Sequence, residues 1–356
     1  MPLLIATDEA GYGPRLGPLV IVATAWRMPP DASPEAIHER LSQPVSIEPY
    51  GRLQIDDSKR LFVRRASKPK VAPTSTLDLL TDAAAAWATM PLPSADYCQW
   101  LAQLAPDDLA ALGQQPWYTS LINPPSASTV SPLHVSETGR TPGKPPELDS
   151  QSAIVRGQLI DHWSAAELQL TGIAARVIDA ATFNALLAVF PNKAELLSHL
   201  TCELALKLWR QHAAADKTWI FSDRHGGRAY YGGLLQHHCP DLAMRVLHET
   251  PRQSCYRLSS TEDSPKSPCD IEWSFTVGGD SFAPVALSSI IAKATREQLM
   301  QRFNAYFQAA ATELNSAAPP LRPTAGYAVD AERFLREIES IRVHQSLSDD
   351  SLIRRR

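Results

Sequence analysis

Four acidic residues stand where a predicted β-strand ends or a helix is about to begin: Asp8, Glu9, Asp223 and Asp280. If the strands that precede them are neighbours in one sheet, the four carboxylates converge. Clustered negative charges repel one another, which raises their pKa values unless cations lie between them. Carboxylate oxygens suit Mg²⁺ or Mn²⁺, and a pair of such ions can support phosphodiester cleavage. Taken singly, each of these residues is more simply explained as a turn or helix-capping residue.

A glycine-rich loop, residues 11–17 (GYGPRLG), follows the first acidic pair. Gly11 and Gly13 lack a Cβ atom, so their peptide N–H groups could approach a phosphate or a sugar closely. The same two glycines, with Pro14, would also serve a tight hairpin connection. A dinucleotide-binding fingerprint is disfavoured, because residues 18–26 are predicted to form a strand where that motif requires a helix.

Basic side chains are concentrated in one short run, which is the best candidate for contact with a phosphate backbone. The run comprises Lys59, Arg60, Arg64, Arg65, Lys68 and Lys70. Such runs are most often solvated surface, but with a net charge of −4 the chain must hold any polyanion through a local patch. Ser289, Lys293 and Arg296 share one face of a predicted helix, which either lies near a substrate or faces solvent.

The elements that would position these residues form a mixed α/β pattern. A hairpin of residues 2–9 and 18–26 is followed by predicted strands at 168–178, 217–223, 255–258 and 271–277. Helices are predicted at 77–89, within 95–113, at 181–190, after a cap at Asn192, at 285–303 and at 330–341. A central mixed β-sheet flanked by helices is the expected solution.

Four segments, in this order, resemble motifs of the type 2 ribonucleases H (the HII/HIII group). They are DEAGYGPRLGPLVIVA from residue 8, DDSKRL at 56–61, GDSFAPVALSSIIAKATREQLM at 279–300 and GYAVDAERF at 326–334. The resemblance covers about 1–62 and 165–340. It implies an RNase H-like fold and a two-metal endonuclease that cleaves RNA strands, or embedded ribonucleotides, in duplexes with DNA.

The resemblance also implies roles for individual residues. Asp8, Glu9, Asp223 and Asp280 would be the catalytic carboxylates and would bind two Mg²⁺ or Mn²⁺ ions. The backbone of Gly11 and Gly13 would contact the ribose 2′-OH, and Tyr327 would pack against the ribose of the junction nucleotide. The residues expected to bind substrate are Gly11, Tyr12, Gly13, Arg15, Lys59, Lys293 and Tyr327.

The sequence departs from the family pattern at several points. Tyr12 stands where the HII enzymes have Arg, so a phosphate contact is lost or is moved, with Arg15 as the candidate. The Thr and His that usually follow Gly-Tyr are missing. After Asp223 the segment DRHGGRAYYGG matches no family pattern, and its basic residues could form either a further phosphate site or a plain turn.

The resemblance divides the chain into a catalytic domain, residues 1–60 and 151–356, and an insertion, residues 61–150, expected at the rim of the sheet. The insertion contains predicted helices and a stretch with seven prolines, Pro116 to Pro146, interpreted as a loop or a disordered segment. No signal peptide or membrane span is evident, and the five cysteines lack metal-type spacing. A cytoplasmic location without membrane contact is therefore expected, and the oligomeric state is not indicated.

Two other functions remain open. The same fold and metals could act on another structured nucleic acid, since RNase H-like folds serve several nucleases. The chain could also be a nucleic-acid-binding module that has lost catalysis. The clustered carboxylates argue against this last reading, because negative charge beside a phosphate track does not help binding.

Overall fold

The computed structural model describes residues 1–47, 51–56, 75–122, 150–165, 167–212, 217–260, 269–316 and 319–355. Its strands are β1 (Leu3–Ala10), β2 (Leu19–Arg27), β3 (Val45–Ile47), β4 (Gly51–Leu53), β5 (Gln169–Ile178), β6 (Thr218–Asp223), β7 (Leu242–Glu249), β8 (Gln253–Ser260) and β9 (Asp270–Thr276). No helix within these ranges is both long and apolar enough to cross a membrane.

The α-helices lie between groups of strands and after the last strand. They are α1 (Pro34–Leu41), α2 (Thr76–Trp87), α3 (Tyr97–Leu104), α4 (Leu109–Gly113), α5 (Ser150–Ser164), α6 (Ala180–Leu187), α7 (Lys193–Gln211), α8 (Gly232–His238), α9 (Ala283–Leu314), α10 (Ala328–Glu337), α11 (Glu339–His344) and α12 (Asp349–Leu352). Two short 3₁₀ helices cover Pro116–Leu121 and Gly279–Ser281.

Seven strands form one mixed sheet in the order β5–β2–β1–β6–β9–β8–β7. The interior strand β1 runs antiparallel to β2 and parallel to β6, and β6, the middle strand, runs parallel to β9. The remaining neighbours are antiparallel. Helices cover the sheet on both faces, so the expected central mixed sheet flanked by helices is confirmed.

The apolar run at the start of the chain divides between two cores because side chains alternate across a strand. Leu4 and Ala6 of β1 pack into one core cluster with α9. Leu3 and Ile5 point to the other face and pack into a second cluster with α7. A strand buried on both faces needs apolar residues at successive positions, which explains why the run is continuous.

Helices from the predicted insertion are part of the first of these cores. Trp100 of α3 is fully buried. Trp117 and Tyr118, in the 3₁₀ helix Pro116–Leu121, are buried as well. Trp117 packs against Phe303 of α9, with the ring centroids 5.4 Å apart. The described part of the insertion thus extends from the rim into the interior, and residues 123–149 lie outside the described residues.

Some elements differ from the sequence prediction. Helix α5 occupies residues that precede the predicted return of order near residue 165. The edge strand β7 was not predicted, because its alternating exposure does not follow a clear apolar pattern. Helix α9 runs on to Leu314, since no glycine or proline interrupts it after its first turn. The final predicted helix is divided into α10 and α11 near Ile338.

Candidate active site

The four predicted carboxylates lie at one end of the central strands. Thr7 of β1 pairs with Ser222 of β6, so the next residues, Asp8 and Asp223, end up at the same edge of the sheet. The backbone N–H of Gly279 donates to Oδ1 of Asp223 at 2.8 Å. This bond draws the 3₁₀ helix that carries Asp280 against the end of β6.

Electrostatics indicate how close these acidic groups are. Burial raises the pKa of Asp8 to about 7, and repulsion from Asp223 and Asp280 adds to the rise. A hydrogen bond with the Ser289 side chain opposes it. The pKa of Glu9 is also raised well above its usual value, first by burial and then by the charges of Asp8, Asp223 and Asp280. The structure therefore brings the four carboxylates within electrostatic range of one another.

The chemistry of this group of side chains fits a hard divalent cation, because a cation would relieve the mutual repulsion of its carboxylates. Asp8 is buried, and Glu9, Asp223 and Asp280 are half-buried. Within the described residues, no three acidic, histidine or cysteine side chains already surround a point that could hold an ion. Oδ1 of Asp8 accepts from the Glu9 N–H at 2.8 Å, and Oδ1 of Asp223 accepts from the Gly279 N–H.

The glycine loop passes beside this acidic group, and its conformation depends on glycine. Gly11 has φ of 87°, in the left-handed region that L side chains rarely adopt. A Cβ at Gly11 would lie 2.5 Å from Nε of Arg296 and equally close to the carbonyl oxygen of Pro18. Gly13 is exposed, and the nearest side-chain atom to its missing Cβ is Cε1 of Tyr327 at 4.0 Å. Tyr327 itself is 58% exposed, so its ring stands free beside Gly13.

Arg296 ties the glycine loop to the segment that carries Tyr327. Its guanidinium donates to the carbonyl oxygens of Leu16, Pro18 and Ala325. The helix face formed by Ser289, Lys293 and Arg296 is thus not an exposed one, since Ser289 and Arg296 are both buried. The spacing of these residues was correctly read as one face of a helix, but their periodicity alone did not reveal that this face turns inward.

Gly326 makes a second connection between the two segments. Its carbonyl oxygen accepts from the backbone N–H of Arg15 at 2.8 Å and from that of Leu16 at 3.2 Å. Gly326 also has a positive φ, 85°, and a Cβ there would lie 2.3 Å from the carbonyl oxygen of Leu16. The glycine loop and the Gly-Tyr segment are therefore one structural unit.

Tyr12 lies against the start of α7 and the turn after β6. Nζ of Lys193 is 4.9 Å above the centre of the Tyr12 ring, and Gly226 faces the Tyr12 hydroxyl. Lys193 was not among the predicted site residues. Its only sequence signal was its position directly after the Asn192 cap, which predicts a helix start but not a neighbour in the glycine loop.

The remaining predicted substrate residues are placed as follows. Arg15 donates to Glu332 at 3.3 Å and so faces α10. Lys293 lies one turn after Ser289 in α9. Burial raises the pKa of Glu297, and the nearby charge of Lys293 partly opposes that rise. Lys59 and the rest of the basic run at 59–70 lie outside the described residues.

The basic residues Arg224 and Arg228, after Asp223, bond to other parts of the protein. Arg224 donates to the carbonyl oxygens of Thr250 and Pro251, and Arg228 pairs with Glu195. His225 is buried, and burial lowers its pKa to about 3. Of the two interpretations of this segment, the geometry favours the plain turn.

No protein-family model and no curated protein matches the chain. Among solved structures it is similar to ribonuclease H2 from Pyrococcus horikoshii, with 12% identity and a TM-score of 0.40 over 98% of this chain and 92% of that one. It is also similar to the RNase HII of a PCNA complex from Archaeoglobus fulgidus, with 13% identity and a TM-score of 0.37 over 100% and 94%. A third similar structure is Bst-RNase HIII in complex with Mn²⁺, with 12% identity and a TM-score of 0.35 over 99% and 65%. All three are named as ribonucleases H.

Proposed function

We propose that this protein is a divalent-metal-dependent endoribonuclease that cleaves the RNA strand of RNA–DNA hybrids, or ribonucleotides embedded in duplex DNA. The observation that carries the proposal is the group of Asp8, which is buried, and Glu9, Asp223 and Asp280, which are half-buried, beside a glycine loop and an exposed tyrosine. Crowding four carboxylates into one partly buried place is unfavourable for folding, so a function that uses their charge is the better explanation. The catalytic domain would comprise residues 1–60 and 151–356.

The four carboxylates would hold two Mg²⁺ or Mn²⁺ ions. When bound, these ions would supply an activated water and stabilise the leaving oxygen of the cleaved phosphodiester. Ser289 would orient the Asp8 carboxylate through its hydrogen bond. The rigid attachment of Asp223 to Gly279 would set the spacing between the strand ends.

The glycine loop and Tyr327 would select the sugar. The 2′-OH distinguishes RNA from DNA at a given nucleotide and can both donate and accept a hydrogen bond. At Gly13 no side chain blocks the approach of a strand, and the ring of Tyr327 stands beside it to pack against the sugar. Lys293 and Lys193 are the cations proposed to contact phosphates on this side of the molecule, and Lys59, which lies outside the described residues, is proposed as a further phosphate contact.

The test is cleavage of four labelled duplexes by the purified protein: RNA–DNA, DNA with a single ribonucleotide, DNA–DNA and RNA–RNA. Each is incubated with Mg²⁺, with Mn²⁺ and with EDTA. We expect cleavage of the first two, only with metal, and only at ribonucleotides. Cleavage of the all-DNA duplex would favour the second candidate, an RNase H-like nuclease for other structured nucleic acids. Binding without cleavage under every condition would favour a catalytically inactive binding module.

A further inference from the structure

We propose that Arg354 is a positioning residue that holds the glycine loop in its ribose-reading conformation. This inference rests on the proposed function and extends it to a segment, residues 349–355, that none of the sequence motifs includes. The argument starts from the contacts of that segment with the loop.

Residues 349–355 lie along the outer side of the glycine loop. Ile353 forms a β-bridge with Leu16, and the backbone N–H of Arg354 donates to the carbonyl oxygen of Arg15 at 2.9 Å. The side chain of Arg354 reaches further, and its Nη2 donates to the carbonyl oxygens of Gly11 and Pro14. One guanidinium thus connects the beginning of the loop to its middle.

The segment is itself anchored to the body of the protein. The side-chain amide of Asn184, in α6, donates to the carbonyl oxygens of Asp350 and Ile353 at 3.0 and 2.8 Å. Its Oδ1 accepts the backbone N–H of Arg355 at 2.7 Å. Asn184 is buried, so these bonds fix the backbone on both sides of Arg354.

The contact with Gly11 determines which way a peptide group of the loop points. The carbonyl of Gly11 and the N–H of Tyr12 belong to one planar trans peptide, so they point in opposite directions. Because Arg354 binds the carbonyl, the Tyr12 N–H faces away from Arg354. The positive φ of Gly11 makes this orientation available, and the guanidinium selects it.

Among the described residues, Arg354 forms no ion pair with an acidic side chain. The side chain is 3% exposed, and its Nε and Nη1 have no hydrogen-bond partner within the described part of the chain. Burial lowers its pKa to about 9, so the group remains charged at neutral pH. The guanidinium also lies 5.0 Å from the centre of the Phe183 ring. A buried cation held by carbonyl oxygens and an aromatic ring, without an acidic partner among the described residues, costs stability, which a purely structural contact would not require. A positive field under the loop favours the approach of a phosphodiester strand.

The experiment compares the affinity for a duplex with one ribonucleotide with that for an all-DNA duplex of the same sequence. Both are measured with Mg²⁺ in an Asp280→Asn background, which prevents cleavage. Arg354→Met removes the guanidinium at similar volume, and Arg354→Lys keeps the charge without the planar fork. Arg355→Met is the matched control, because within the described residues the Arg355 side chain pairs only with the exposed Asp350.

The ribose preference is the Kd for the all-DNA duplex divided by the Kd for the duplex with one ribonucleotide. We expect Arg354→Met to lower this ratio at least tenfold and Arg354→Lys to lower it by less. Arg355→Met should retain the wild-type ratio. A pocket of about 500 Å³ borders Arg354, so guanidinium chloride at millimolar concentration should restore preference to Arg354→Ala, whose short side chain leaves room for the ion, whereas NaCl at equal ionic strength should not. Such rescue would separate loss of this group from a general loss of structure.

The outcomes distinguish this inference from the proposed function. If the parent protein prefers the ribonucleotide duplex and both Arg354 variants keep that preference, the positioning role is wrong and the proposed function stands. If the parent protein has no ribose preference, the proposed function and this inference are both overturned. If Arg354→Met does not fold, as judged by circular dichroism, Arg354→Lys decides by the same ratio.

Discussion

Asp8 and Glu9 are acidic groups whose folded environment disfavours their charge. Both lie where burial and neighbouring carboxylates raise the pKa. The pKa of such an acid is higher in the folded protein than in the unfolded chain. At any pH between these two pKa values, the folded protein therefore binds more protons than the unfolded chain does. Without metal, the free energy of unfolding must therefore fall as the pH rises from about 4 through about 7.

Asp8→Asn should remove a large part of this repulsion. In EDTA at pH 8 we expect the variant to be more stable than the wild type by about 2 kcal/mol, because an uncharged amide replaces a buried charge. At pH 4, where Asp8 is protonated in the wild type, the advantage should disappear. Urea unfolding at both pH values measures it. An advantage of equal size at the two pH values would show that charge is not its cause.

The same substitution should remove cleavage. Asp8→Asn and Asp280→Asn are each expected to reduce turnover of an RNA–DNA hybrid in saturating Mg²⁺ by about a thousandfold or more, since loss of two-metal stabilisation costs several kcal/mol of barrier. Glu35→Gln, at an exposed position in α1, serves as the charge-matched control. Turnover near the wild-type rate in either variant would contradict the assignment of these carboxylates as metal ligands.

Glycine at position 326 holds together the two segments that would read the sugar. Gly326→Ala should destabilise the protein by about 1 to 3 kcal/mol, because the new Cβ would clash with the Leu16 carbonyl oxygen at a positive φ. The matched control is Gly157→Ala in α5, where nothing lies near the new Cβ. This second change should stabilise the helix by about 0.5 to 1 kcal/mol. Thermal unfolding compares the two, and equal effects would refute the argument from loop geometry.

Tyr12 and Tyr327 flank the glycine loop and allow a test of its selectivity. Arg at position 12 would offer a bidentate phosphate contact that Tyr12 cannot make. The position of the nucleic-acid strand relative to the active site should therefore be fixed more firmly. We expect Tyr12→Arg to improve cleavage of a single-ribonucleotide duplex relative to a long hybrid, which offers many equivalent registers. Tyr327→Ala should slow both reactions. If the relative rates are unchanged in Tyr12→Arg, the loop does not set this preference.

Local sequence patterns predicted the elements that have their own periodicity, and they missed what distant contacts decide. The β1–β2 hairpin, the Asn192 cap and the strand that ends at Asp223 were all predicted at their observed places. Arg296 was placed on the correct helix, but its partners in the loop lie 278 and 280 positions away in sequence. Arg354 had no local signal at all, because its role comes from carbonyl groups more than 300 positions earlier.

The distribution of charge over the whole molecule leads to a prediction about affinity. The net charge is −4, and the run at residues 59–70 is the densest basic stretch of the sequence. Neutralising Arg64, Arg65 and Lys68 together should weaken binding to all duplexes to a similar extent. It should also flatten the plot of log K against log salt by up to about one unit of slope per lost phosphate contact. An unchanged slope would identify these residues as solvated surface.

The interior position of β1 in the sheet has a consequence for folding during synthesis on the ribosome. Leu3 pairs with Thr218 and Thr7 with Ser222, so one edge of β1 stays open until residues 218–222 have been synthesised. An unpaired apolar edge invites association with other nascent chains, and parallel pairing over such a separation forms slowly. The yield of native protein in a cell should therefore depend on chaperones that shield the β1–β2 hairpin until β6 leaves the exit tunnel.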